Sequence, residues 1–63
     1  MFRYERKLDE AENIANNCGG RVEVIANGRH IYPAEILTAQ KRRLEVYIEV
    51  RDFNGNLVSR IEV

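Results

Sequence analysis

Hydrophobic positions near the start of the chain recur every three to four residues. Between residues 4 and 18 they form one stripe made of Tyr4, Leu8, Ala11, Ile14, Ala15 and Cys18. This spacing is typical of an amphipathic helix whose apolar face packs against a core. Gly19 and Gly20 follow at once, and glycine readily adopts the left-handed conformation that closes a helix. The pattern therefore predicts a helix over residues 4–18.

The pattern then changes to the alternation that is typical of β-strands. Residues 21–26 alternate and are rich in β-branched side chains, and Asn27-Gly28 follows as a two-residue hairpin turn. A hairpin with this loop pairs Ala26 with Arg29, Val24 with Ile31 and Val22 with Pro33. Because proline cannot donate to a sheet ladder, Pro33 marks an edge, a bulge or a strand break. Residues 34–39 are open to two interpretations, a strand or a helical turn.

A second hairpin is predicted from residues 44–53 and 57–63, which flank another Asn-Gly pair at Asn54-Gly55. A two-residue loop gives each face of this hairpin a consistent character, which fixes the register. The aliphatic face then pairs Val50 with Ser59, Ile48 with Ile61 and Val46 with Val63. The opposite face pairs Glu49 with Arg60 and Tyr47 with Glu62.

Together these elements predict one α+β domain over residues 1–63, with an N-terminal amphipathic helix packed on a four-stranded antiparallel β-meander. The helix followed by Val22 and Val24 and the Asn27-Gly28 turn is also similar to the opening of the Sm-like barrel family, which includes the bacterial RNA chaperones. This resemblance covers residues 4–37. It implies a small SH3-like or Sm-like barrel with an N-terminal helix as the alternative fold.

Composition excludes several classes of protein. Ten basic and ten acidic residues cancel, so no global charge indicates nucleic acid or an anionic membrane as partner. No apolar run is long enough to span a membrane. The single cysteine, Cys18, and single histidine, His30, supply neither a disulfide nor a closed zinc site. We expect no metal, no cofactor, no enzymatic activity and a cytoplasmic location.

The basic residues are nevertheless unevenly distributed. Residues 21–43 contain five basic and two acidic residues, and three of the basic ones are consecutive at Lys41, Arg42 and Arg43. With Arg29, His30 and Arg21 as neighbours, this cluster is a candidate phosphate-binding patch for RNA or DNA. The alternative is a solvated turn that keeps a sheet edge soluble.

A second set of candidates lies on the predicted outward faces of the strands. Tyrosine and arginine are the residues that most often anchor interfaces, and aromatic rings beside arginine also stack on nucleic-acid bases. The candidates of this set are Tyr32, Tyr47, Arg51 and Arg60.

Size leads to a prediction about oligomeric state. A chain of 63 residues without a disulfide has a marginal core, and an open sheet leaves two edges that invite pairing. We therefore predict a non-enzymatic protein-interaction or regulatory module that forms a homo-oligomer, in the first place a homodimer, and binds a protein partner that the sequence does not identify. The alternative function is an RNA- or DNA-binding module.

Overall fold

The computed structural model describes residues 3–63, with side chains from Tyr4 onward. Its elements in chain order are α1 (Arg3–Cys18), β1 (Arg21–Ala26), β2 (Arg29–Ile31), a 3-10 turn (Pro33–Glu35), α2 (Ile36–Lys41), β3 (Val46–Arg51) and β4 (Leu57–Glu62). The predicted fold class is confirmed, because a helix packs on a four-stranded antiparallel sheet. The sheet is open, so the alternative of a closed barrel is wrong.

The strand order is β2-β1-β3-β4, which differs in one place from the sequential order of a meander. The 3-10 turn and α2 separate β2 from β3, and β3 then pairs with β1 through six residue pairs, from Arg21–Arg51 to Ala26–Val46. Both helices contribute buried residues to one core on one face of the sheet. The other face carries no helix in the part of the chain that the structure describes.

The first hairpin is confirmed at its turn. Asn27 and Gly28 both have positive φ, 51° and 81°, as a type I′ turn requires, and Ala26 pairs with Arg29. The predicted pairing of Val22 with Pro33 is wrong, because β2 ends at Ile31. Proline lacks an N–H and has a φ suited to the first turn of a helix, so Pro33 begins the 3-10 turn.

Residues 34–39, for which a strand and a helical turn were both open, are helical. The Glu35 backbone N–H donates to the Tyr32 carbonyl at 2.9 Å. In return, the Glu35 carboxylate accepts the Tyr32 N–H at 2.8 Å. This reciprocal pair satisfies two backbone groups at the start of the helical segment, as a capping box does.

In the second hairpin the register is confirmed but the predicted loop is wrong. Ile48 pairs with Ile61 and Glu49 with Arg60, as expected. The loop has three residues, 53–55, because the Asp52 N–H donates to the Asn56 carbonyl at 2.9 Å and the Asp52 carboxylate accepts two backbone N–H groups. A bulge opposite Val50 and Arg51 then absorbs one residue of β4 and restores the register.

The core is made of small and branched side chains. The buried residues are Ala11, Ala15, Val24, Ala26, Ile36, Ala39, Val46, Ile48 and Val50. All the buried residues of α1 are alanines, which lets that helix approach the sheet closely. The close approach extends to the α1–β1 connection, where a Cβ added at Gly20 would lie 1.8 Å from the Arg51 carbonyl oxygen.

This close approach makes Gly20→Ala a test of the packing of α1 on the sheet. We expect it to lower the free energy of unfolding by about 1–3 kcal/mol, because the backbone of β3 must shift to admit a methyl group. Gly19→Ala is the control, since Gly19 faces open space and has only its positive φ of 69° to strain an alanine. Urea denaturation of both variants measures the difference. A Gly20→Ala protein as stable as the unsubstituted protein would contradict the packing described.

Candidate functional site

Eight of the nine candidate residues fall into two sets that the structure places on different surfaces, and Tyr32, which was predicted on an outward strand face, belongs to neither because β2 ends before it. Four lie around the turn between β1 and β2 and the end of α2, a region that we name the basic end; they are Arg29, Lys41, Arg42 and Arg43. The helix-free side of the sheet, which we name the outer face, carries Tyr47, Arg51, Arg60 and His30. The prediction that His30 and Arg21 neighbour the basic cluster is wrong, because the strand pairing places both on the outer face. Tyr32 lies between β2 and the 3-10 turn and is 78% exposed.

On the outer face, two neighbouring carboxylates hold the arginines in ion pairs. Glu49 lies 3.2 Å from Arg51 and 3.9 Å from Arg60. Glu23, directly opposite Glu49 in the β1–β3 pair, lies 3.4 Å from both Arg51 and Arg21. Because like charges on adjacent strands repel, the three arginines stabilise the two glutamates, and each arginine is in turn ion-paired.

Tyr47 is also engaged within the outer face. The Arg60 guanidinium lies over its ring, 3.8 Å from the centroid, in a cation–π contact. Its hydroxyl donates to the Glu45 carboxylate at 3.0 Å. This hydrogen bond and the negative charge of Glu45 raise the pKa of Tyr47, because both favour the neutral phenol. Tyr47 and Arg60 therefore bind each other rather than offering free anchors to a partner.

The two remaining reactive side chains that the sequence offered, His30 and Cys18, lie on different elements. His30 is exposed opposite Ile25, and the half-buried Cys18 thiol donates to the Ala15 carbonyl at 3.6 Å. Among residues 3–63, no three His, Cys, Asp or Glu side chains come together as a metal site would need.

At the basic end, by contrast, the cations are not neutralised. Arg29, the first residue of β2, and Arg42, at the end of α2, line one groove of about 370 Å³. All four basic residues of this region are exposed. Within the described part of the chain, none of the four forms an ion pair, whereas every ion pair found there involves an outer-face glutamate.

The end of α2 explains how the chain presents these cations. The Leu44 N–H donates to the Ala39 carbonyl at 3.1 Å and the Arg43 N–H to the Gln40 carbonyl at 3.0 Å, which is the Schellman pattern of helix closure. α1 closes in the same way, with Gly20 donating to Ala15. The left-handed position is Gly19 in α1 but Arg43 in α2, where φ is 59°.

The fold accounts for Lys41 and Arg42 but not for Arg43. Lys41 and Arg42 stabilise the negative end of the α2 dipole, so their charge has a role in the fold. Arg43 occupies a backbone conformation that costs a non-glycine residue of order 1 kcal/mol. Glycine would close the helix better, so the fold alone does not account for an arginine there.

The groove also contains residues that sequence reasoning did not single out. Its apolar lining is Ala26, Ile31, Ala39 and Leu44, and its other members beside the two arginines are Asn27, Glu35 and Thr38. The Asn27-Gly28 turn and the residues after Pro33 were both noticed in the sequence. Only the pairing of β3 with β1 brings them together, and no local pattern indicates that pairing.

Comparison with protein-family models, with curated proteins and with solved structures finds no match to this chain. No helix within the described residues is long and apolar enough to cross a membrane. The function must therefore be argued from the two surfaces described above.

The unusual conformation of Arg43 gives a prediction about stability. We expect Arg43→Gly to raise the free energy of unfolding by about 1 kcal/mol, because glycine removes the strain of the left-handed position. The matched control is Arg42→Gly, the same change at a negative φ of −83°, which we expect to destabilise the protein. Thermal or urea denaturation of the two variants measures both changes in the free energy of unfolding. If Arg43→Gly destabilises the protein as much as Arg42→Gly, the arginine is needed for the fold.

Proposed function

We propose that this chain is a non-enzymatic binding module that contacts the phosphates of RNA or DNA through its basic end. The observation that supports this proposal is the contrast between paired and unpaired cations. Arg21, Arg51 and Arg60 form ion pairs on the outer face, while the four cations of the basic end form none among residues 3–63. Unpaired cations gathered on one surface attract a polyanion even when the net charge of the protein is zero.

The arrangement favours a nucleic-acid backbone over a single small anion. The four cations come from two elements, with Arg29 on β2 and the other three at the end of α2, so they present several separate contacts. A phosphate backbone supplies repeated charges to such a surface, and arginine binds phosphate in a bidentate manner. The exposure of all four leaves them accessible to a long ligand.

The number of cations sets an expected salt dependence. Four phosphate contacts on a single strand give a slope of about −2.8 for log affinity against log salt, so affinity falls about fiftyfold between 50 and 200 mM. Simultaneous alanine substitution of Lys41, Arg42 and Arg43 should reduce this slope to about −0.7. Fluorescence anisotropy with a labelled oligonucleotide measures both values.

The outer face supplies the control for this experiment. Arg21→Ala removes one positive charge from the opposite end of β1, where the side chain is paired with Glu23. Arg42→Ala removes the same charge from the basic end. We expect only Arg42→Ala to reduce the slope, by about 0.7. Absence of binding by the unsubstituted protein at 50 mM salt, where electrostatic attraction is strong, would refute the proposal.

Self-association, which was the first prediction from the sequence, is the second candidate, and one observation favours it. Phe53 in the β3–β4 loop and Leu57 and Val58 at the start of β4 are apolar and are 85%, 49% and 46% exposed. Direct pairing of two β4 edges is less favourable, because the bulge interrupts this edge and Lys7 Nζ donates to the Glu62 carbonyl. We therefore propose that a homodimer, where it forms, buries the apolar hairpin end.

Sedimentation equilibrium tests this second candidate. From micromolar to millimolar protein, the mass should rise from one chain toward two. A Phe53→Ser/Leu57→Ser protein should remain at one chain, because the apolar area that drives association is gone. Tyr32→Ser is the control, since Tyr32 is also highly exposed but lies outside the hairpin. A mass of one chain over the whole range would contradict the dimer.

A further inference from the structure

The groove between β2 and α2 has a composition that phosphate binding alone does not explain. We propose that the basic end selects single-stranded nucleic acid, with one unpaired base in this groove and the adjoining phosphates on Arg29 and Arg42. This inference rests on the proposed function and adds the form of nucleic acid that is bound. It concerns a groove of about 370 Å³, which is at the lower end of the range for small-molecule sites.

The interior of the groove is suited to a base rather than to a phosphate. Ala26, Ile31, Ala39 and Leu44 give it an apolar lining, on which the face of a base can pack. Glu35 also lines the groove, and its carboxylate is held in place by the Tyr32 N–H. A fixed negative charge repels a phosphate but accepts a hydrogen bond from the amino or imino edge of a base.

Different polar groups around the lining are placed to contact the phosphates and the base of a nucleotide. Arg29 and Arg42 come from opposite sides of the groove, one from the sheet and one from α2, and both are exposed. They are therefore placed to contact the backbone on either side of an inserted base. Asn27 and Thr38 supply further donors and acceptors for the base edge.

A duplex satisfies only part of this site. Its phosphates reach exposed arginines equally well, but its bases are stacked and paired, so none of them enters a groove between a strand and a helix. A single strand supplies both the charge and an accessible base face. Selection of single strands therefore follows from the apolar lining, and the cations supply attraction that both forms of nucleic acid share.

The test compares three ligands at the same concentration of phosphate groups. These are a single-stranded decamer, the same decamer with all bases removed, and a duplex, each made as DNA and as RNA. At 50 mM salt we expect the base-bearing single strand to bind about tenfold more tightly than the abasic strand, which corresponds to the burial of about 55 Å² of apolar surface. We expect the duplex to bind no more tightly than the abasic strand.

Two substitutions on α2 locate the base. Thr38→Leu adds bulk to the groove without changing charge, and it should remove the preference for the base-bearing strand while leaving affinity for the abasic strand unchanged. Gln40→Leu is the matched control, because Gln40 is exposed on the same helix and does not line the groove. Circular dichroism and thermal melting confirm that both variants remain folded.

The outcomes distinguish this inference from the proposed function. Equal binding of base-bearing and abasic strands, or tighter binding of duplex, would overturn the inference and leave phosphate binding at the basic end intact. Retention of the full preference in Thr38→Leu would also overturn it. Failure of all three ligands to bind would overturn both proposals. A preference for RNA or for DNA among the single strands would support the inference and identify the sugar that is recognised.

Discussion

The pairing of β1 with β3 at the centre of the sheet is the interaction on which the rest of the structure depends. Six consecutive residue pairs join these strands, and they bury Val24 beside Ile48 on the helical side. Because β3 follows α2 in the chain, this pairing forces the 3-10 turn and α2 to connect β2 to a strand that is not its neighbour. That connection creates the groove between β2 and α2. It also places Arg29 and Arg42 along the same groove.

The same pairing organises the outer face. It sets Glu23 directly opposite Glu49, an arrangement that would destabilise two adjacent strands without cations nearby. Arg51 bridges the two carboxylates, and Glu49 is only 8% exposed because the arginine side chains cover it. Long charged side chains thus cover a sheet face on which no helix of residues 3–63 packs. Antiparallel sheets commonly tolerate one solvated face, and here its polar cover is an ion-pair network.

Features that follow from hydrophobic periodicity and turn preference were predictable. Features that depend on one specific side-chain hydrogen bond or on distant contacts were not. The α1 stripe, the Asn27-Gly28 turn and the register of Ile48 with Ile61 follow from periodicity and turn chemistry. The Asn54-Gly55 loop was predicted wrongly because the Asp52 carboxylate accepts the N–H groups of residues 54 and 56 and stabilises a longer turn. These hydrogen bonds of Asp52 are local, but the preference of the Asn-Gly dipeptide for a two-residue turn does not reveal them.

Whether the basic residues of the candidate site are ion-paired could not be predicted from the sequence either. Lys41, Arg42 and Arg43 are conspicuous in the sequence, but their chemical state depends on where the acidic side chains lie. The strand pairing places Glu23 and Glu49 against the arginines of the outer face, so these acids are unavailable to the basic end. Charge separation of this kind cannot be read from a net charge of zero, because it is a property of the β1–β3 register.

This charge separation also bears on Arg43, the residue with a left-handed backbone conformation at the end of α2. A helix closed by glycine would be more stable, and α1 of the same chain is closed in that way. An arginine in the left-handed position adds a cation to a surface where no acid neutralises it among the described residues. Its charge therefore stays available to a ligand, whereas the same residue on the outer face would be neutralised. The cost in backbone strain and the gain in free positive charge occur at one residue, which is the pattern expected where binding rather than folding determines the side chain.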